Sequence, residues 1–300
     1  MKKIKSGVYG LNRLMDGGIN QNTITTVIGS SGAGKTTFAT YFLKRGVEHG
    51  EDAIFITLDE EPKQIIKEVI QMGWVDIEDY IDKGALVFVD AGGKQFSEFI
   101  KTELAGFVEE WKGYNARIII DPLTPVLWSV HHKYEQRDLC SFLLRETRKI
   151  GTVVCTLEEH SVMGDLSGPD LVIPMYLADN VIHLRYKSHE SPERREMKII
   201  KCRSSRHSSF WHSYRIVKGS GIIIQEAELA EGTPINIVNL GSKLQKALAN
   251  IPASKKKNLT PKVIRSINHT VSLLSQEDIG PLDPEYIIKQ ILQEYDLIEG

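Results

Sequence analysis

Short apolar runs alternate with longer amphipathic stretches through the first half of the chain. Thr23–Ile28 (TITTVI), Ala53–Leu58 (AIFITL), Leu86–Asp90 (LVFVD), Arg117–Asp121 (RIIID) and Thr152–Leu157 (TVVCTL) have the length and β-branched content of buried strands. Between them, Thr37–Arg45, Lys63–Met72, the stretch from Phe96 to Trp111 and Leu139–Ile150 repeat apolar residues at helical spacing. This alternation predicts an α/β fold with a mostly parallel twisted sheet. Two further strands, Asn180–Arg185 and Met197–Cys202, flank a charged turn at Lys187–Glu196 and predict an antiparallel hairpin that closes the sheet. Residues 6–22 are turn-rich and read as a loop and short helix; residues 161–178, rich in glycine and proline, read as a second loop.

After Leu229 the long apolar runs stop, and Pro252–Asn258 (PASKKKN) reads as a linker. Thr260-Pro261 and Asp283-Pro284 each pair an N-cap with a proline at the first helical position. Behind them run two apolar stripes, Val263, Ile264, Ile267, Val271, Leu274 and Ile287, Ile288, Ile291, Leu292, Tyr295. The chain therefore divides into a domain at 1–229, a connecting segment at 230–259 and a small helical extension at 260–300. About forty residues are too few to fold alone, so the extension must pack on the core, on a neighbouring subunit or on a protein partner.

The chemistry is concentrated at Gly29-Ser30-Ser31-Gly32-Ala33-Gly34-Lys35-Thr36, which matches the P-loop pattern G-x-x-x-x-G-K-[ST] between a predicted strand and a predicted helix. Glycines let successive backbone N–H groups and the positive end of the helix converge on a polyphosphate. Lys35 is placed for the β- and γ-phosphates, and the Thr36 hydroxyl for Mg²⁺. A glycine-rich turn with no ligand is the bland alternative, which the agreement of every specified position and both flanks disfavours.

Acids stand at several strand ends, where open parallel sheets place their ligands. Asp59, Glu60 and Glu61 follow the second strand; they face a nucleotide or merely favour the next helix through its dipole. Asp90 and Asp121 both end a strand and are candidates for the Mg²⁺-supporting aspartate. Asp121 is preferred, because it follows the acidic strand end at Asp59 by a full strand–helix unit and opens a polar, proline-bounded turn.

Composition narrows the setting. The 300 residues are 41% hydrophobic, enough for a substantial core, and 37 basic against 39 acidic residues give no global pull toward nucleic acid or an anionic membrane. Cys140, Cys155 and Cys202 show neither disulfide nor zinc spacing, and no apolar run has the length of a signal sequence or membrane span. A cytoplasmic, soluble protein is expected. Arg194, Arg195, Lys198, Lys201, Arg203, Arg206 and His207 form a local basic cluster, which by itself reads as a solvated hairpin edge.

Several stretches together resemble the KaiC-like ATPases of the RecA superfamily, over roughly residues 5–218. Ser6–Gly18 (SGVYGLNRLMDGG) resembles the family's opening signature, Leu58-Asp-Glu-Glu-Pro62 its acidic pair, and Ile118-Ile-Ile-Asp121 its Walker B strand. Lys201-Cys-Arg-Ser-Ser-Arg-His207 is similar to the family's K-x-R-x-[ST]-x-H. The resemblance implies a RecA-like core, common in archaea, that assembles head to tail as a hexameric ring with ATP between subunits. It implies that Gly34, Lys35, Thr36 and Thr37 hold phosphates and Mg²⁺, that Asp121 supports the metal, and that Glu60 with Asp59 polarises the attacking water. Lys201 and Arg203 would stabilise γ-phosphate charge in the next subunit's site. Asp59 stands where the family usually has glutamate, which implies slow hydrolysis. One core is present, and Val172–Ala178 has no Ser or Thr ahead of Asp179, which argues against autophosphorylation.

The leading expectation is an ATP-hydrolysing oligomeric regulatory switch. A single-stranded-DNA-binding ATPase is the second reading. It rests on His131, His132, Lys133, Arg137, Trp128 and Tyr134 in one loop, whereas the loop His160–Ala178 is nearly free of positive charge. A slow ATP-binding scaffold that holds a protein partner on its C-terminal helices is the third.

Overall fold

The fold is that of a computed structural model, which describes residues 1–92, 96, 99–160, 166–187, 194–225, 240–274 and 283–299. Strands β1 (Lys3–Ile4) and β2 (Ile19–Asn20) pair as a short antiparallel ribbon. The central sheet is built from β3 (Ile24–Gly29), β4 (Ala53–Thr57), β5 (Leu86–Asp90), β6 (Ala116–Asp121), β7 (Gly151–Glu158), β8 (Asn180–Lys187), β9 (Arg194–Cys202), β10 (Trp211–Val217) and β11 (Gly221–Ile224). Their order is β11-β10-β9-β8-β3-β7-β6-β4-β5. The strands from β8 to β5 in that order are mutually parallel, and β9, β10 and β11 add antiparallel pairs at one end.

Side chains alternate across the sheet, as strand geometry requires. On β6, Ile119 faces one apolar cluster while Ile118 and Ile120 face the other; on β7, Val154 opposes Val153 and Cys155 in the same way. The first cluster is closed by α2 (Lys35–Glu48), α3 (Pro62–Gln71) and α4 (Ile77–Asp82) through Phe38, Phe42, Ile65, Val69 and Tyr80. The second is closed by α5 (Leu104–Trp111), α6 (Thr124–Trp128), α7 (Lys133–Arg148) and α8 (Pro169–Leu177) through Leu104, Val126, Leu143 and Leu171. The expected α/β sheet with its antiparallel end is present.

Several local readings change. Residues 6–22 hold the expected short helix, α1 (Leu11–Leu14), and in addition β2, while residues 169–177 of the expected second loop form α8. Pro169 sits at the start of α8 after Gly168, so a residue that reads as a loop breaker here supplies a ready-made helical φ. Strands β10 and β11 were not anticipated; β10 is amphipathic and short, and gains its place by pairing with β9. The charged turn is shorter than expected at both ends, because β8 extends to Lys187 and β9 begins at Arg194.

The C-terminal part contains α9 (Leu240–Ala249), α10 (Pro261–Leu274) and α11 (Pro284–Glu294). Leu240–Ala249 falls in the segment read as connecting, and the linker at 253–258 is a short 3-10 turn. The apolar stripes of α10 and α11 meet Leu244 of α9 and cover Tyr9, Val217 and Ile223 of the core, so they pack within the chain. Among the described residues no helix is long and apolar enough to cross a membrane.

Candidate active site

Gly29 ends β3 and Lys35 opens α2, so the predicted P-loop joins a central strand to a helix N-terminus. Gly34 has φ +94°, which calls for glycine, and a Cβ there would also push on the end of the Ile216 side chain, 2.7 Å from its Cδ1. Two side chains from the antiparallel strands brace the loop from outside. Arg195 Nε donates to Gly32 O at 3.2 Å, and the Tyr214 hydroxyl donates to Ala33 O. Sequence reasoning missed both, because only the pairing of β8, β9 and β10 brings those residues to the loop.

Lys35 Nζ donates to Ser30 O at 3.2 Å. Burial holds its pKa below the ordinary lysine value, against the opposing pull of Glu158, Asp121 and Glu159. Glu158 and Glu159 directly follow the predicted strand Thr152–Leu157. In the structure Glu158 N donates to Thr124 Oγ1 at 3.1 Å, and the buried Glu159 carboxylate lies 3.1 Å from His183 Nε2.

Asp121 ends β6, two strands from β3, about 10 Å across the sheet at normal strand spacing. Asp90 ends the edge strand β5, four strands away and about 19 Å across, where its carboxylate accepts from Gly92 N. Asp121 is buried, accepts from the Thr156 hydroxyl, and is hydrogen-bonded to Thr36. Burial pushes its pKa up, while those hydroxyls and Lys35 pull it down. A buried carboxylate beside a hydroxyl, short of positive charge, is the hard oxygen set that Mg²⁺ prefers, so the residues fit that ion.

Asp59 and Glu60 follow β4 on the same edge of the sheet and are exposed. Partial desolvation at this turn, although Glu60 is exposed overall, together with the charges of Glu68, Asp121 and Asp59, raises the pKa of Glu60. Thr57 Oγ1 donates to Glu60 O at 2.6 Å and shapes the turn that carries it.

Lys201 and Arg203 lie elsewhere. Gly29 pairs with Leu184, whereas Lys201 pairs with Val181 and Cys202 with Asn180, at the other end of β8. Arg203 N continues this ladder to Asp179 O at 2.9 Å. Five residues separate Asp179 from Leu184, about 16 Å along the strand, so the chain's own P-loop is out of reach of Arg203. Trp128, in the basic and aromatic stretch, is exposed and lies over His160 with ring centroids 5.2 Å apart; its Nε1 donates to Asp170 Oδ2. Residues 161–165 of the second stretch lie outside the described residues.

Residues 4–229 match the protein family described as "ATPase: KaiC". The chain belongs to the KaiC ATPase family. It is 28% identical over 235 residues to the circadian clock protein KaiC3 of Synechocystis, covering 75% of this chain and 46% of that protein. It is 31% identical over 221 residues to the circadian clock oscillator protein KaiC of Acaryochloris marina, covering 68% of this chain and 40% of the relative. This KaiC-family chain thus spans less than half the length of those relatives. A KaiC-like protein from the hyperthermophilic archaeon Pyrococcus horikoshii superposes with a TM-score of 0.61 at 26% identity, covering 75% of this chain and 99% of that one. ATP binding and ATPase chemistry on a RecA-type core follow from family membership.

Proposed function

We propose that the chain is an ATP-hydrolysing oligomeric switch, a hexameric ring in which each nucleotide lies between two subunits. The observation that carries this is the separation within one chain of Lys201 and Arg203 from the P-loop, at opposite ends of β8. A head-to-tail contact brings one subunit's basic end against the next subunit's P-loop end, and such heterologous contacts close into rings when the rotation permits.

Within the site, the backbone from Gly29 to Thr37 cradles the phosphates at the start of α2, and Lys35 adds charge at the β- and γ-positions. Thr36 and Asp121 would hold Mg²⁺, which when bound neutralises charge between those phosphates. Glu60, ionised, accepts a hydrogen bond from the attacking water and orients it, with Asp59 beside it. Arg203, whose side chain is 55% exposed, donates to developing charge in the adjacent subunit's site. The raised pKa of Glu60 makes its carboxylate a stronger base toward a water proton than an ordinary glutamate. The short Asp59 supports slow turnover, and slow turnover suits a switch, whose output is the lifetime of a nucleotide state.

Light scattering behind a sizing column, with and without ATP·Mg²⁺, tests assembly, and phosphate release from wild type, Glu60→Gln and Arg203→Ala tests the site. ATP-dependent hexamers whose turnover falls with both substitutions are expected. A monomer with bound nucleotide, or turnover indifferent to Arg203, overturns the shared site. Salt-sensitive binding of labelled single-stranded DNA at that stage would favour the recombinase-like reading instead.

A further inference from the structure

Helix α8 ends where Lys201 and Arg203 sit. The last carbonyls of any helix lack intrahelical partners. Here Lys201 Nζ donates to Met175 O at 2.9 Å, Tyr176 O at 3.3 Å and Ala178 O at 2.6 Å. An ammonium has three N–H donors, so this cap uses all of them. Arg203 Nη2 adds a bond to Tyr176 O at 3.3 Å, and its Nη1 lies 3.9 Å from Asp179 Oδ1.

Helix α8 is anchored in the core by Leu171 and open on another side. Pro174 stands inside it and supplies no N–H to its ladder. Beside it lies a cavity of about 500 Å³, lined by Leu166, Val172, Met175, Val181 and Ile200 with Lys201 and Arg203 at its edge. Unfilled space next to a packed helix forfeits contacts that would otherwise fix it. A helix with room to move is thus tethered at its C-terminal end by an ammonium group on a neighbouring strand.

We propose that Lys201 is a two-position switch: it caps α8 when the adjacent subunit's site lacks a γ-phosphate and leaves α8 for that phosphate when ATP is bound, so that α8 reports the neighbour's nucleotide state. This rests on the shared-site reading above. The competition has a definite direction. A bond between an ammonium and an anionic phosphate oxygen joins two charges, while the carbonyls of Met175, Tyr176 and Ala178 are neutral acceptors, so the phosphate wins once within reach. Burial, with Arg203 nearby, lowers the pKa of Lys201 in its capping position, and an anion would reverse that push. When the ammonium leaves, the freed carbonyls turn to water and the last turn of α8 frays. Tyr176, 68% exposed on that turn, moves with it.

Hydrogen exchange of the amides at 175–178 in the assembled protein tests this, with ADP or a non-hydrolysable ATP analogue bound. In wild type the analogue should speed exchange at least about tenfold over ADP, since losing even one of the three charge-assisted bonds is worth that much. Lys201→Met should exchange fast in both states. Equal exchange in wild type, or a difference that persists in Lys201→Met, overturns the switch. Mixing Lys35→Ala subunits with Arg203→Ala subunits separates the two ideas, since a shared site regains turnover in mixed rings. Restored turnover with an indifferent α8 overturns the switch alone; no restoration overturns the shared site and the switch with it.

Discussion

Thr156 on β7 donates its hydroxyl hydrogen to Oδ1 of Asp121 on the adjacent strand β6, inside the core. The bond fixes the carboxylate whose other neighbours are Thr36 and Lys35, so a residue with no place in the P-loop pattern sets the geometry of the acid proposed to support the metal. Thr156→Val keeps the shape and removes the donor. Mg²⁺-dependent nucleotide affinity should fall about tenfold, the effect of losing one hydrogen bond to a charged group. Titrating Mg²⁺ against a fluorescent ATP analogue measures it, with unchanged circular dichroism as the check on folding.

Glu60 should set the acidic limb of the turnover profile. Burial and the nearby acids raise its pKa, so the carboxylate that orients water is lost at a higher pH than an ordinary glutamate would be. Turnover should therefore drop as pH falls toward that raised value. Glu60→Gln should lower turnover by about 10²-fold or more and flatten that limb, while leaving nucleotide affinity nearly intact. A limb that survives the substitution assigns the ionisation to another group.

Gly34→Ala should abolish nucleotide binding. The backbone must hold φ +94°, a conformation that strains any Cβ-bearing residue, and the Ile216 side-chain end 2.7 Å from the new Cβ must also turn aside, so the turn that aims the N–H groups is distorted. Gly32→Ala faces only the φ penalty, because a Cβ there meets open space, and it should weaken binding by about tenfold. Equilibrium binding of the same fluorescent analogue distinguishes the two.

The P-loop, the strands β3 to β7 and Asp121 were legible because each is carried by contiguous residues with a strong local pattern. Asp121 rather than Asp90 was decided by strand order along the chain, and the sheet places Asp90 on the far edge strand. The bracing by Arg195 and Tyr214, the Thr156 bond and the buried Glu159–His183 pair were not legible, since each joins residues that only sheet pairing brings together. Helix α8 was missed because Pro169 and Pro174 read as breakers, although the first occupies a helix start. The apolar stripes of α10 and α11 were readable from their spacing, but what they cover was not, because the core face at Tyr9, Val217 and Ile223 includes the unanticipated strands β10 and β11.

The C-terminal helices are fastened to the P-loop helix by buried charge. Arg45 of α2 lies 2.7 Å from Glu48 and 3.5 Å from Glu294 of α11, with its guanidinium 3.9 Å from the Tyr295 ring centroid. Glu294 also accepts from Gly7 N at 2.8 Å and from Asn12, so one carboxylate joins α11, α2 and the segment before the P-loop. Glu294→Ala strands these donors in the core and should cost about 3 kcal/mol in urea unfolding. Lys243→Ala, at the exposed bridge to Glu285, should cost under about 1 kcal/mol. Glu294→Gln should be milder than Ala, because an amide still accepts from Gly7. Burial raises the Glu294 pKa despite Arg45, so the folded state binds that proton more tightly than the unfolded one. The group's contribution is then fullest in acid and declines as pH rises above the ordinary glutamate value. The Gln variant, which does not titrate, should gain on wild type across that rise. A stability gap between the two that stays constant with pH would show that Glu294 remains ionised throughout, held by Arg45.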